Sequence, residues 1–243
     1  MIAMIFAAGL GVRLRPLTDN KPKALVNFMG KTMLENAAEK LVEAGAESLV
    51  INVHHFAGAI KDFLKNKDFG VPVYISDESD MLLDTGGGML KAKTFLNKED
   101  DFILHNVDIA SNINLKKFFD FHKADNAIAT LAVKERESTR NLIFDNENNL
   151  CGWKNYKTGE EKKSRSYSAE KSHGYAFSGI SAYKTEIFEK ITESGKFSIV
   201  NMLLRIAKQE QIKAYVHNND LWADLGTVEK LEAAEKLFSQ HNF

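Results

Sequence analysis

The sequence predicts an α/β fold in which a mainly parallel sheet lies between helices. Three observations lead there. The chain opens on an uncharged apolar run, Met1 to Ala8, which reads as a strand buried on both faces. From there to Ile75, strand-like and helix-like stretches alternate as β-α-β-α-β, the order that builds parallel crossovers. A further apolar run, Phe102 to Val107, ends in Asp108. Ligands of open α/β sheets collect at the carboxyl ends of such strands.

Taken in order, the first strand enters Gly9-Leu10-Gly11, with Arg13, Arg15 and Lys23 close behind. Glycines let backbone N–H groups close on a bulky anion, and the cations bring charge to the same place. A triphosphate suits that chemistry, although Gly-x-Gly is also an ordinary tight turn. The loop lacks the Gly-Lys-Ser/Thr ending of a Walker A motif. Leu14 replaces the third glycine of a dinucleotide fingerprint. Gly30-Lys31-Thr32 leads into a helix with a Thr32–Glu35 capping box and Gly45 as its C′ residue. Leu34, Ala38, Leu41 and Val42 form its inner face. Ser48 to Val53 reads as the second strand. A helix with Ile60, Phe63 and Leu64 inward follows, then a strand from Val71 to Ile75. His54 and His55 are adjacent, so they cannot share one side of an element, and they mark a loop end rather than a metal pair.

Leu83 to Met89 holds Thr85-Gly86-Gly87-Gly88, read as a loop before a helix running from about Met89 to Leu96. The glycines either simply bend the chain or let a base or ribose lie on bare backbone. Asp108 is either a turn residue or a ligand. Beyond it, Asn112 to His122 has helical spacing and Ala127 to Val133 reads as a strand. A hairpin turns at Asn146-Glu147-Asn148-Asn149. Lys154 to His173 is polar and reads as a mobile surface loop. Tyr175 to Ala182 is a strand containing Ser178 and Gly179, where glycine permits close packing. Phe197 to Ala207 is a helix and Ile212 to Val216 a strand. Thr227 caps a last helix with Leu231, Ala234, Glu235 and Leu237 at helical spacing.

Composition narrows the function. The 243 residues carry 32 Lys and Arg against 33 Asp and Glu, for a net charge of −1. That balance leaves no nucleic-acid footprint and no attraction to an anionic membrane. No apolar run is long enough to cross a bilayer. Cys151 is the sole cysteine, so no disulfide within the chain is possible. The apolar N-terminus lacks the basic region and cleavage site of a secretory signal, and a cytoplasmic setting is the default expectation.

The string G-x-G-x-R-L-x-P-L-T, followed by Pro22-Lys23, resembles the signature of sugar-1-phosphate nucleotidyltransferases. Leu221-Trp222-Ala223-Asp224-Leu225-Gly226-Thr227 resembles that family's W-x-D-x-G-T closing motif. Thr85-Gly86-Gly87-Gly88 looks most like the members that uridylate N-acetylmuramic acid 1-phosphate. The resemblance implies a Rossmann-like mixed, mainly parallel sheet between helices. It also implies a small acceptor (sugar) lobe at about residues 113–180, between a nucleotide-binding part at about 1–112 and a closing segment at about 181–243. No hexapeptide repeat is present, so a single domain without a left-handed β-helix is expected.

By the same resemblance, Ala8, Gly9, Gly11, Arg13, Lys23, Thr85, Gly86 and Gly87 would hold the nucleotide. Arg13, Lys23 and Asp108 would be catalytic. Asp108 and Asp224 would bind Mg2+, and Asn106, Ser178 and Gly179 would meet the sugar. Val107 stands where the family usually has a small residue, and the family's Glu-Lys-Pro sugar motif is missing. The implied substrates are a nucleoside triphosphate, with UTP favoured, and a sugar 1-phosphate, with N-acetylmuramic acid 1-phosphate favoured. A place in nucleotide-sugar biosynthesis and cell-wall recycling follows. Three alternatives stay open: a guanylyltransferase for mannose or heptose 1-phosphate, a non-catalytic nucleotide-sensing subunit, and a dinucleotide-dependent oxidoreductase.

Overall fold

The computed structural model describes residues 1–241. Its first part runs β1 (Ile2–Phe6), β2 (Asn27–Phe28), β3 (Lys31–Thr32), α1 (Met33–Glu43), β4 (Ser48–Val53), α2 (Ala57–Lys65) and β5 (Val73–Asp77). Then come α3 (Asp84–Lys91), α4 (Lys93–Leu96), β6 (Asp101–Asn106), β7 (Ile109–Ser111) and α5 (Leu115–Ala124). The middle holds β8 (Ala129–Lys134), β9 (Arg140–Asp145), β10 (Leu150–Asn155), β11 (Glu161–Lys163) and β12 (Ser172–Lys184). The chain closes with α6 (Ile187–Lys190), α7 (Ile199–Ile206), β13 (Ile212–Val216), β14 (Trp222–Asp224) and α8 (Val228–Ser239).

The sheet is mixed, and its parallel half is the expected one. Strands β5, β4, β1 and β6 lie side by side in that order, all parallel. β12 then pairs antiparallel with β6, and β8 antiparallel with β12, while β13 runs parallel to β8. The first half of β12 pairs with β9 instead, and β9, β10 and β11 extend as an antiparallel wing. The alternation of the pleat splits β1 between two cores. Ala3 and Ile5 pack with Leu34, Leu41 and Phe238, and Ile2 and Met4 with Met89, Leu104 and Leu203. No helix among the described residues is long and apolar enough to cross a membrane.

Local signals explain most boundaries. The Thr32 hydroxyl accepts from the Glu35 N–H at 3.1 Å, and the Glu35 carboxylate accepts from the Thr32 N–H at 2.8 Å, which completes the capping box. At the other end of α1, Gly45 (φ 97°) bonds back to Val42 and Ala46 to Leu41, a Schellman close. Thr227 caps α8 through the Lys230 N–H, at 3.3 Å. Phe238 fills that helix's inner face together with Leu231 and Ala234, whereas Glu235 is exposed.

Two expectations fail. Lys154 to His173 is not one loop: β10 continues to Asn155, and the short β11 folds back along it. The stretch is polar because β11 is a fully exposed strand at the sheet's edge and the turn before it meets solvent, not because it lacks structure. The three glycines are not a loop either. Helix α3 begins at Asp84, so they lie inside it and are buried. Bare backbone is needed there for packing. A Cβ on Gly86 would come within 2.3 Å of the Phe197 ring, and one on Gly87 within 2.3 Å of the Gly195 carbonyl.

Gly86→Ala is therefore expected to destabilise the protein by about 1–3 kcal/mol in urea titration, through overpacking against Phe197. Gly58, in α2, has open space within 4 Å of where a Cβ would stand, and no positive φ. Gly58→Ala should stabilise by about 0.4–1 kcal/mol in the same assay. Equal responses of the two variants would contradict the packing account.

Candidate active site

The glycine loop leaves β1 at the carboxyl edge of the sheet. The N–H groups of Ala7 and Ala8 both donate to the Asn52 side-chain carbonyl, at 2.7 and 3.3 Å. Among the described residues, the next five N–H groups, Gly9 through Arg13, donate to nothing. A run of free N–H groups in an exposed turn is an anion-binding concavity. Gly11 has φ 67°, and its missing Cβ lets the turn pass over Lys23, whose Cβ would lie 3.1 Å away. The Thr18 hydroxyl fastens the turn by donating to the Gly11 carbonyl at 2.9 Å.

Lys23 forms an ion pair with Asp108, and both side chains are mostly shielded, at 12% and 19% exposure. Asp108 follows β6 as expected. Val107, despite its bulk, is buried and continues the ladder by donating to the Phe6 carbonyl at 3.2 Å. Asp224 arrives from the far end of the chain. β14 pairs antiparallel with β7 so that Asp224 lies opposite Ile109, and the Leu225 N–H donates to the Asp108 carbonyl at 2.8 Å. Burial acts to raise the pKa of the Asp224 carboxyl. The Lys230 ammonium at 2.5 Å, the Gly226 N–H and the more distant charge of Lys23 outweigh it, and the pKa is lowered. Arg13 reaches the same corner, with Nη2 3.0 Å from where a Cβ on Gly226 would be. Arg13, Lys23, Asp108 and Asp224 are thus brought together, although two hundred residues separate the first from the last.

This donor set fits a hard cation. It offers two carboxylates, and no cluster of three or more His, Cys, Asp or Glu suited to a metal exists among the described residues. Two protein carboxylates with room for phosphate oxygens and water is the arrangement magnesium favours.

Beside this corner opens a cavity of about 380 Å3. Its lining includes Ala8, Gly9, Lys23, Thr85, Asn106 and Asp108 from the sequence-based set. Gly86 and Gly87 do not line it, because they face Phe197 and Gly195. Only Thr85 of that trio reaches the opening, and its hydroxyl also accepts from the Ile199 N–H at 3.1 Å. Gly11 and Arg13 lie outside this cavity, Gly11 over Lys23 and Arg13 towards Asp224. Gly179 (φ 75°) presses against Asn106, so two of the three residues expected to meet a sugar lie against each other. Ser178 turns away. Its hydroxyl is buried against His217 Nε2 at 2.7 Å, with Asp220 3.7 Å from the opposite ring nitrogen. That constellation looks like a nucleophile and its base, but Ser178 is fully buried. With its hydroxyl out of reach of any substrate, the trio holds the turn rather than attacking anything, and burial, with Lys134 and Arg136 nearby, pushes the His217 pKa down to about 4. A wider hollow of about 850 Å3, between α1 and α5, contains none of the site residues.

The lining also includes polar residues that the sequence reading did not select, among them Asn52, Glu78 and Lys196. Asn52 and Glu78 are buried and bonded to each other at 2.7 Å, and Glu78 also accepts from the Leu83 N–H at 3.2 Å. They tie the glycine loop to the start of α3. The available signal for Asn52 was a carboxamide inside the otherwise apolar strand Leu49 to Val53.

Known proteins resemble this chain along its length. The family model described as "Nucleotidyl transferase" matches residues 2–241. The N-acetylmuramate alpha-1-phosphate uridylyltransferase of Caulobacter vibrioides is 41% identical over 110 residues, a match spanning 44% of this chain and 45% of that protein. The protein of the same name from Neisseria meningitidis serogroup B is 30% identical over 239 residues, 98% of each chain. Among solved structures, HddC from Yersinia pseudotuberculosis superposes with a TM-score of 0.77 over 98% of this chain and 99% of its own, at 23% identity. It shares the fold.

The tie between loop and helix makes a further prediction. Asn52→Leu leaves the Ala7 N–H and one Glu78 oxygen buried without a partner. It should cost about 3 kcal/mol in equilibrium unfolding at neutral pH. A loss under about 0.5 kcal/mol, the ordinary range for a surface change, would show that Asn52 is not the tie.

Proposed function

Because the chain belongs to the nucleotidyl transferase family, we propose that it joins a nucleoside triphosphate to a sugar 1-phosphate and that its preferred pair is UTP with N-acetylmuramic acid 1-phosphate. The observation that carries the reaction is the meeting of Lys23, Arg13, Asp108 and Asp224 at the foot of the free N–H loop. The preferred pair is supported by the two N-acetylmuramate alpha-1-phosphate uridylyltransferases to which the chain is similar, one of them matched along nearly its whole length.

An oxygen of the sugar 1-phosphate attacks the α-phosphorus, the bond from that phosphorus to the bridging oxygen breaks, and pyrophosphate leaves. Such chemistry asks a protein to position and to neutralise charge, and no covalent nucleophile is needed. The N–H groups of Gly9 to Arg13 cradle the triphosphate. Lys23 and Arg13 offset its charge, and the buried Asn52–Glu78 pair keeps the loop in shape. Asp108 and Asp224 would hold a magnesium ion, which would supply positive charge to offset that of the phosphates. Lys23 already neutralises Asp108, so the carboxylates tolerate each other before any cation arrives.

The deciding experiment measures pyrophosphate release across the four triphosphates and several sugar 1-phosphates. UTP with N-acetylmuramic acid 1-phosphate should give the highest kcat/KM. A higher value for GTP with mannose 1-phosphate would transfer the assignment to guanylyl transfer. Lys23→Met should lower kcat by about 100-fold, the usual cost of one strong electrostatic contact at a transition state. Wild-type turnover at saturating triphosphate would remove its role.

The carboxylates are tested separately by thermal unfolding. Magnesium added with UTP should raise the Tm beyond UTP alone, by mass action on the native state. Asp108→Asn and Asp224→Asn should each abolish that increment. If either keeps it in full, its carboxylate does not hold the ion.

A further inference from the structure

A second cavity adjoins the first across a shared wall. It measures about 430 Å3 and opens between the β9–β10–β12 wing and the start of α7. Arg136, Arg140 and Lys162 line it together with Trp153, Ser198 and Asn201, and no Asp or Glu does. The wall is short. The Phe177 carbonyl accepts from Arg136, the next residue's carbonyl accepts from Trp222, and the residue after that, Gly179, packs on Asn106 of the nucleotide cavity. On the other side, Ser198 faces this cavity, while Lys196 and Thr85 face the first.

Arg136 is the residue that needs explaining. Its guanidinium lies over the Trp222 ring, 4.0 Å from the centroid. Nη2 donates to the Phe177 carbonyl at 3.1 Å and Nη1 to the Glu137 carbonyl at 3.4 Å. Nε is buried and donates to nothing. No carboxylate lies within ion-pairing distance of Arg136 among the described residues. Its seat is rigid, because the Trp222 indole donates to the Ser178 carbonyl at 2.9 Å. Trp222 and Asp224 are two apart on one strand and so present the same face, which turns Arg136 towards the Asp224 side. A shielded cation held by neutral carbonyls and a ring face, with no carboxylate in ion-pairing reach, is incompletely compensated. Arg140, at the rim, has no ion pair among the described residues either. Lys162 is partly engaged, by Glu160 at 3.5 Å and Asn201 at 3.1 Å.

We propose that this cavity receives the sugar and that Arg136, with Arg140 beyond it, binds a second acidic group on the acceptor, a carboxylate separate from the 1-phosphate. The inference rests on the nucleotidyl-transfer reading, which places the reacting phosphate by Lys23 and Asp224. That end already has its cations. Three more, in a neighbouring cavity without acids, suit an anion elsewhere on the same molecule. A guanidinium on an aromatic platform presents its fork to a carboxylate in fixed geometry.

The test compares N-acetylmuramic acid 1-phosphate with its carboxamide, which keeps size and shape and loses the charge. For the wild-type enzyme with UTP, the acid should have a kcat/KM about tenfold or more above the amide, as one charge-assisted contact provides. In Arg136→Gln and in Arg140→Gln that ratio should fall towards one. Arg140 is exposed, so its variant separates recognition from folding. A ratio unchanged in both variants overturns the proposal. So does an equal loss on acid and amide, which would mean that these arginines hold the 1-phosphate. If no triphosphate supports turnover with either acceptor, the nucleotidyl-transfer reading fails on its own. Calorimetric titration of the two acceptors into wild type and Arg140→Gln then still decides the cavity. Tighter binding of the acid, lost in the variant, supports the proposal, and equal binding of acid and amide overturns it.

Discussion

The ion pair between Lys23 and Asp108 is the joint on which the candidate site depends. Each partner is shielded enough that losing the other would strand a charge in a poorly solvated place. The pair connects three parts of the chain. Lys23 leaves the glycine loop, and Gly11 can cross over it only because it has no side chain. Asp108 ends β6, and its carbonyl takes the Leu225 N–H, which brings Asp224 alongside. Lys40 of α1 adds support from behind by donating to Ser111, the last residue of β7, and burial pushes its pKa down to about 8. The loop, the central strand and the closing segment therefore share one electrostatic centre, which is why a signature scattered along the sequence makes one local structure.

Much of this was legible in the sequence, and for identifiable reasons. β1, β4 and β13 read correctly because uncharged or β-branched runs bounded by turn residues leave little choice. The ends of α1 and the start of α8 read correctly because caps are local chemistry. Asp108 and Asp224 could be paired only by resemblance, since no local rule links residues so far apart; the β7–β14 ladder is what joins them. The glycine trio shows where local reading ends. Glycine signals that something comes close without saying what. In α3 the neighbours are Phe197 and the Gly195 carbonyl, which enter the chain more than a hundred residues later. Asn52 and Glu78 are the reverse case. Each is an ordinary residue in sequence, and each matters because burial makes its hydrogen bonds hard to replace.

The outer edge of the wing was the least legible region. The hairpin expected around Asn146-Glu147-Asn148-Asn149 is there as β9 and β10, but β11 is a three-residue exposed strand whose Lys and Glu pair at the surface, so it carries no alternation to read. The wing's cavity is lined by residues of the turn before β9, of β9, β10, β11 and β12, and of the start of α7. No single stretch of sequence holds enough of it to form a motif. A charge count also hides it, because the chain as a whole is almost neutral while this cavity collects three cations.

β12 has a mechanical consequence. With 13 residues it is a single girder, bonded to the wing by its first half and to the nucleotide side by its second. Pairing with β8 slips between Phe177 and Ser181, around the left-handed Gly179. Ser172 to Tyr175 pair with β9 and Ile180 to Lys184 with β6, so bending the girder in either stretch would break a ladder. The slip is its flexure point, and Asn106 sits against it. Any bend of β12 at this slip would therefore be felt first at Asn106, in the wall of the nucleotide cavity.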